Sequence, residues 1–186
     1  MYTYDFDKTI YVRDSSVTFY LSCLKHYPAA VLRTVPRTLA MALKKALGRI
    51  DMTELKEQIF AFLKYIDADT VVPEFWNEKY DGVGEWYLAQ RKDDDIIISA
   101  SPEFLLKPVA DKLGVRLIGT RMDKKTGQIM GKNCHDVEKV TRFYEQYPDA
   151  HTECFYSDSL SDSPMAELAD KAFLVDHGKL SPWPNK

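Results

Sequence analysis

The chain has 186 residues, 45% of them apolar and 28% charged, an ordinary balance for a soluble globular protein long enough to bury a sizeable core. A net charge of −3 excludes a global electrostatic pull toward nucleic acid. No apolar run approaches the roughly 20 residues that span a bilayer, which excludes a membrane-crossing helix. The three cysteines, Cys23, Cys134 and Cys154, are odd in number and lack CxxC spacing, so they read as free thiols rather than a disulfide framework. With no basic-then-apolar leader at the start, the expectation is a soluble, cytoplasmic protein.

The first segment, MYTYDFDKT, predicts a strand over residues 2–6. Side chains alternate faces along a strand, so Asp5, Asp7 and Thr9 share one side while Tyr4, Phe6 and Lys8 take the other. Carboxylates this close repel, which raises a pKa unless a cation or a proton lies between them.

From residue 14 to about 91 the pattern is helical, and about four helices are expected. The first carries its cap at Asp14 or Ser15. The second, PAAVLRTVPRTLAMALKKALG, breaks or kinks at Pro36. The third opens on Asp51 with Glu54 three residues on, close to a capping box, and presents Leu55, Ile59, Leu63 and Ile66 on one face. The fourth, PEFWNEKYDGVGEWYLAQRK, is weakened in its middle by Gly82 and Gly84.

Strands return afterwards. DDDIIISAS (93–101) is a continuous apolar run, as in a strand buried on both faces, and EFLLKPVADKLG (103–114) is a helix stopped at Gly114. VRLIGT (115–120) predicts a strand, RMDKKTGQIMGK (121–132) a small hairpin, DVEKVTRFYEQY (136–147) a helix, TECFYSDS (152–159) a strand running into a loop, SPMAELADKA (163–172) a short helix and FLVD (173–176) a last strand. The tail SPWPNK reads as frayed. Alternating strands and helices argue for a parallel α/β sheet. The expected architecture is a Rossmann-like core, residues 1–13 and 92–186, with an α-helical cap inserted over 14–91.

Ligands of open parallel sheets bind beyond the carboxyl ends of the strands. Here those ends carry Asp5 and Asp7, Ser99, and Asp158 with Asp162 four residues on, while Lys139 falls at or near a helix start. A hard divalent cation, for which Mg²⁺ with a few carboxylates, waters and phosphate is the best candidate, would relieve the repulsion.

In this order the four elements resemble the motifs of the haloacid-dehalogenase-like superfamily: DFDKT (5–9), Ser99 after an apolar run, Lys139, and SDSLSD (157–162). The phosphoserine-phosphatase-like subgroup, which carries a helical cap, is the most similar, and SASPEFLLKPVADKL aligns with its second-motif segment without a gap. The resemblance implies a Mg²⁺-dependent phosphomonoester hydrolase acting on a small phosphorylated metabolite. In that reading Asp5 is the nucleophile and Asp7 the general acid and base. Asp5, the Asp7 main-chain carbonyl and Asp158 hold the metal. Ser99 and Lys139 bind the phosphoryl oxygens, Thr9 supports the loop, and Asp162 orients Lys139 or a metal-bound water.

Several alternatives stay open at this point. DKT (7–9) also resembles the phosphorylation motif of cation-pumping ATPases, which would make Asp7 the nucleophile, but a threonine would then replace the general acid. Lys132 competes with Lys139, and Ser99, like Ser101, could simply cap the helix that follows. Asp14 either binds a substrate amino group, where the subgroup carries glutamate, or only caps a helix. Lys8 departs from the glycine or serine of many relatives.

Residues 15–50 contain no acidic residue and six basic ones, Lys25, Arg33, Arg37, Lys44, Lys45 and Arg49, beside an i, i+4 stripe of Val31, Val35, Leu39, Leu43 and Leu47. Such a segment can touch an anionic membrane surface, and a peripheral lipid-phosphate phosphatase of the phosphatidylglycerophosphate type is the alternative function. The preferred reading packs the stripe inside the cap. A catalytically inactive phosphate-binding regulator is the third reading, and the complete motif set argues against it.

Overall fold

A computed structural model of the chain describes residues 1–184. Six strands form one sheet in the order β3-β2-β1-β4-β5-β6, where β1 is Tyr2–Tyr4, β2 Ile96–Pro102, β3 Arg116–Thr120, β4 Cys154–Ser157, β5 Lys171–Asp176 and β6 Lys179–Pro182. The first five are parallel and β6 pairs antiparallel with β5. β1 is central, with Thr3 and Tyr4 paired to Ile96 and Ile97 on one side and to Phe155 and Tyr156 on the other. The order of strands therefore reverses at β1, which places a crevice at its carboxyl end.

The two faces of the sheet bury different cores. Ile96, Ile98, Ile118 and Phe155 point to one side, against Phe143 of α8 (Val137–Gln146) and Met165 of α9 (Ser163–Leu168). Tyr4, Ile97 and Tyr156 point to the other. There they meet α7 (Glu103–Leu113), which ends at Gly114 in the left-handed region at φ 69°, a conformation glycine adopts without steric cost. Tyr4 stacks on Tyr156 at 4.7 Å between centroids, and Tyr156 on Phe173 at 5.1 Å.

Between β1 and β2 lie six α-helices among the described residues: α1 (Ser15–His26), α2 (Pro28–Leu32), α3 (Val35–Ala46), α4 (Met52–Phe60), α5 (Ala68–Lys79) and α6 (Glu85–Gln90), with 3-10 turns at Ala61–Tyr65 and Tyr80–Gly82. The finer division has local causes. The break expected at Pro36 falls at Arg33–Thr34 instead, because a proline fits the first turn of a helix, and Pro36 sits in the first turn of α3. α5 starts ahead of its predicted position, at the N-cap Asp67. The capping box of Asp51 and Glu54 forms as expected. Gly82 is needed for space: a Cβ there would lie 2.3 Å from the Tyr11 ring. Trp76 of α5 fastens this helical segment to the sheet half by donating its indole N–H to the Leu105 carbonyl at 2.5 Å.

Two expectations are overturned. The tail is not frayed through Pro182 and Trp183: β6 extends the sheet and Trp183 is buried against Phe155, while Asn185 and Lys186 lie outside the described residues. The leucine stripe does not pack inside the helical segment. Val31 is buried, yet Leu39, Leu43 and Leu47 are 65%, 62% and 58% exposed, and α3 buries none of its residues. Periodicity identifies an apolar face but not whether anything covers it.

Candidate active site

β1 ends at Tyr4, two residues short of the predicted strand, yet the Asp5 N–H still bonds the Tyr156 carbonyl at 2.8 Å and keeps Asp5 in line with β4. The chain then turns through Lys8 at φ 58°. The left-handed region favours glycine, which lacks a Cβ, so Lys8 adopts it at a steric cost.

The turn brings Thr9 back beneath Asp5. Thr9 Oγ1 accepts the Asp158 N–H at 2.9 Å and lies 3.5 Å from both Asp5 Oδ2 and Asp158 Oδ1. One hydroxyl thus gathers two carboxylates from β1 and β4. Across the site, Lys139 projects from the first turn of α8, almost wholly buried, and donates to Asp5 Oδ1 at 2.6 Å and Asp162 Oδ2 at 2.7 Å. Asp162 also accepts from Ser157 Oγ at 2.7 Å and makes no side-chain cap to α9, so its carboxylate serves Lys139 rather than the helix.

Burial pushes the Asp5 carboxyl up to about 7 against the pull of Lys139, and Asp162 and Asp7 act in the same upward direction. Burial alone would lower the Lys139 ammonium, but Asp5 and Asp162 more than reverse this and hold it above the usual lysine range. Asp158 is raised by burial, opposed by Lys8.

Asp7 is held apart from this cluster. Its carboxylate accepts the Ser15 N–H at 2.6 Å and the Ser101 hydroxyl at 2.5 Å. Burial and then Asp14 raise its pKa, and the bonds from Ser101 and Ser15 only partly offset them. A carboxyl with raised proton affinity beside a nucleophilic candidate suits general acid work.

Ser99 is buried at the carboxyl end of β2, where its Oγ accepts the Ser101 N–H at 3.0 Å. Among the described residues its own hydroxyl proton has no acceptor. Lys132 is 83% exposed and pairs only with Glu138, so it stands outside the cluster that holds Lys139. Asp14 caps α1 by accepting the Val17 N–H at 2.9 Å and faces Asp7 closely enough to raise it.

Sequence reasoning missed two residues here. Ser101, weighed only as a helix cap, joins Ser15 and Ser16 in a hydroxyl cluster against Asp7. Lys56, from α4, reaches across to the Ala100 carbonyl at 2.5 Å and Asn133 Oδ1 at 3.0 Å. Burial lowers its pKa to about 8, against the opposing fields of Asp7 and Asp14. The available signal was weak: Lys56 falls at the margin of the Leu55–Ile59 apolar face.

Among the described residues no group of three or more carboxylate, imidazole or thiol side chains is gathered tightly enough to cage a metal. The set around Thr9 has a different character, two carboxylates on one hydroxyl. This suits Mg²⁺, which keeps waters and substrate phosphate in its shell. A cleft of about 700 Å³ opens beside Thr9 and Asp158, walled by Lys8, Arg13, Trp86 and His177.

The sheet order, the acid cluster at the β1–β4 crevice and the buried lysine define a class of hydrolase. The haloacid dehalogenase-like hydrolase profile matches residues 3–167, and the chain belongs to that family. Among curated proteins it is similar to Protein CicA of Caulobacter vibrioides, 29% identical over 95% of this chain and 86% of that one. Among solved structures, a protein of unknown function from Bordetella pertussis Tohama I superposes with a TM-score of 0.71 at 20% identity, covering 92% of this chain and 87% of the other. A phosphoserine phosphohydrolase-like protein from Francisella tularensis gives 0.56 at 18% identity, covering 92% and 86%. These structural likenesses speak for the fold.

Proposed function

We propose that the chain is a Mg²⁺-dependent phosphomonoester hydrolase acting on a small phosphorylated metabolite of the phosphoserine kind. The observation that carries this reading is the buried Lys139 held between Asp5 and Asp162, with Asp158 drawn to Asp5 through Thr9. An ion cluster this deep has a large desolvation penalty and is poor evidence of a purely stabilising role.

An oxygen of Asp5 attacks phosphorus, and the bond to the ester oxygen breaks as that oxygen takes the proton of Asp7. Asp7, now ionised, removes a proton from water, whose oxygen attacks the same phosphorus. Phosphate leaves and Asp5 is regenerated. Lys139 and the free hydroxyl of Ser99 bind the phosphoryl oxygens, Lys139 also opposes the burial that favours the protonated form of Asp5, and Asp162 orients Lys139. Mg²⁺ on Asp5, the Asp7 main-chain carbonyl and Asp158 would neutralise charge on the transferring group. Lys56, close enough to Asp7 to feel its field, supplies a further cation for an anionic substrate. Residues 14–91 act as a cap over the core, residues 1–13 and 92–186, and exclude bulk water.

A second reading keeps this chemistry but takes a lipid phosphate; the exposed leucines of α3 favour it. The activity test uses a chromogenic aryl phosphate. Hydrolysis is expected with Mg²⁺, and is expected to disappear in EDTA and in Asp5→Asn, a loss of at least about 10³-fold. Undiminished rates in EDTA would refute the metal role, and an active Asp5→Asn the nucleophile.

A further inference from the structure

The outer face of α3 has no place in the chemistry above. Leu39, Leu43 and Leu47 recur every four residues and stand 58–65% exposed, and Leu32, 57% exposed, continues the line backward from α2. Scattered exposed leucines are normal, but a continuous stripe on one helix marks a contact surface. On the opposite side the helix is seated against α4, where Thr38 Oγ1 meets the Gln58 carbonyl at 3.4 Å.

One flank of the stripe is basic: Arg33, Arg37 and Lys44 run along it, all exposed, while Lys45 is half-buried on the face of Thr38 and Met41 and Arg49 follows the end of the helix. Among the described residues none of these five forms an ion pair with a carboxylate, although Arg33 lies over the Tyr65 ring at 5.2 Å. Glu54 and Glu57 share a groove with Arg33 and Arg37 on the α4 side, and the leucines do not line it. Residues 15–50 contain no acid at all.

We infer that α3 is a docking surface for an anionic lipid bilayer, with its leucines entering the headgroup boundary and its basic flank of Arg33, Arg37 and Lys44 resting on lipid phosphates. Charge decides the occupant. A second copy of this chain docked through the same face would set these unpaired cations against themselves, with no acid on the helix to answer them. An anionic leaflet complements both the apolar stripe and its basic border. The inference stands on the surface of α3 alone and does not depend on the catalytic reading.

The test is co-sedimentation with phosphatidylglycerol vesicles and, separately, phosphatidylcholine vesicles at low salt. The full chain is compared with the triple variant Leu39→Ser, Leu43→Ser, Leu47→Ser and the double variant Arg33→Glu, Arg37→Glu. The wild-type chain is expected to pellet with phosphatidylglycerol and not with phosphatidylcholine, and to be released by salt. The leucine variant should bind at least about tenfold more weakly. Each lost cation should weaken binding about fivefold. These positions are exposed, so melting temperature and aryl phosphate turnover should remain at wild-type values, which controls for folding. Wild-type protein left in the supernatant with phosphatidylglycerol would overturn the inference. So would undiminished binding by the leucine variant. A dimer in sedimentation velocity that the leucine variant dissolves would give the face to a second copy instead.

Discussion

The sheet half and the helical half of the molecule handle polar groups in opposite ways. At the carboxyl ends of β1 and β4 the buried ions are held by each other and by fixed backbone: Lys139 between Asp5 and Asp162, Asp162 by Ser157, and Thr9 by the Asp158 N–H. The helical half sends only a few groups to the same place, chiefly Lys56 and the start of α1, and turns an apolar face of α3 to the outside. Chemistry that needs atoms fixed within a fraction of an ångström belongs on the first kind of scaffold. Recognition that must differ between substrates can sit on the second, where one side chain changes without dismantling the cluster.

The severest way to break this contrast is Lys139→Met. Two buried carboxylates lose their cation, so stability should fall by about 3–5 kcal/mol in urea unfolding, with loss of aryl phosphate hydrolysis. A variant of normal stability would show that the sheet half is less rigidly interlocked than its hydrogen bonds imply.

Lys56→Met sharpens the contrast by acting in the other direction. The folded-state pKa of Lys56, about 8, lies below the ordinary lysine value of 10.5. Between those values the unfolded chain holds a proton that the folded chain lacks, so this group makes stability rise with pH from about 8 toward 10.5. Below pH 8 the buried ammonium is a burden. The Ala100 carbonyl and Asn133 Oδ1 retain Thr120 Oγ1 within reach, at 2.6 and 2.9 Å, when Lys56 is removed. Lys56→Met should therefore gain roughly 1–2 kcal/mol at pH 7, a gain that shrinks above pH 8, while KM for an anionic substrate rises. The wild-type KM should also climb above pH 8, and Lys56→Arg should flatten that climb. Identical pH profiles for the two would remove Lys56 from substrate binding.

The smallest effect is expected at the junction of the two halves. Asp14→Ala loses the cap of α1 and should lower stability by about 1 kcal/mol, with equal losses on phosphoserine and on an aryl phosphate. A loss confined to phosphoserine would assign Asp14 to the substrate's amino group.

What could be read from the chain followed the same division. Asp5, Asp158 and Lys139 were legible because strand ends and the helix after them are placed by topology alone, and the motif order supplied the rest. Ser101 was visible but ambiguous, since a serine before a helix is usually a cap. Lys56 was not legible: it meets Asn133, 77 residues away, only because α4 packs where it does. The leucines of α3 were recognised as a face, yet a covered and an uncovered face share the same period. β6 was missed because Leu180 is flanked by Lys179, Ser181 and Pro182, which look like the end of an ordered chain.

That last strand has a consequence for the sheet as a whole. β5 would otherwise present an open row of amide and carbonyl groups at the rim, a template onto which a foreign strand could add. The short antiparallel return over Lys179–Pro182 finishes that rim like a hem, and Trp183 tacks it down against Phe155. Proline and lysine along the outer selvage discourage any further stitch. A chain cut back to Asp176 would leave both an unfinished border and a bare patch beneath it, so this return strand and Trp183 guard the rim of the sheet against self-association.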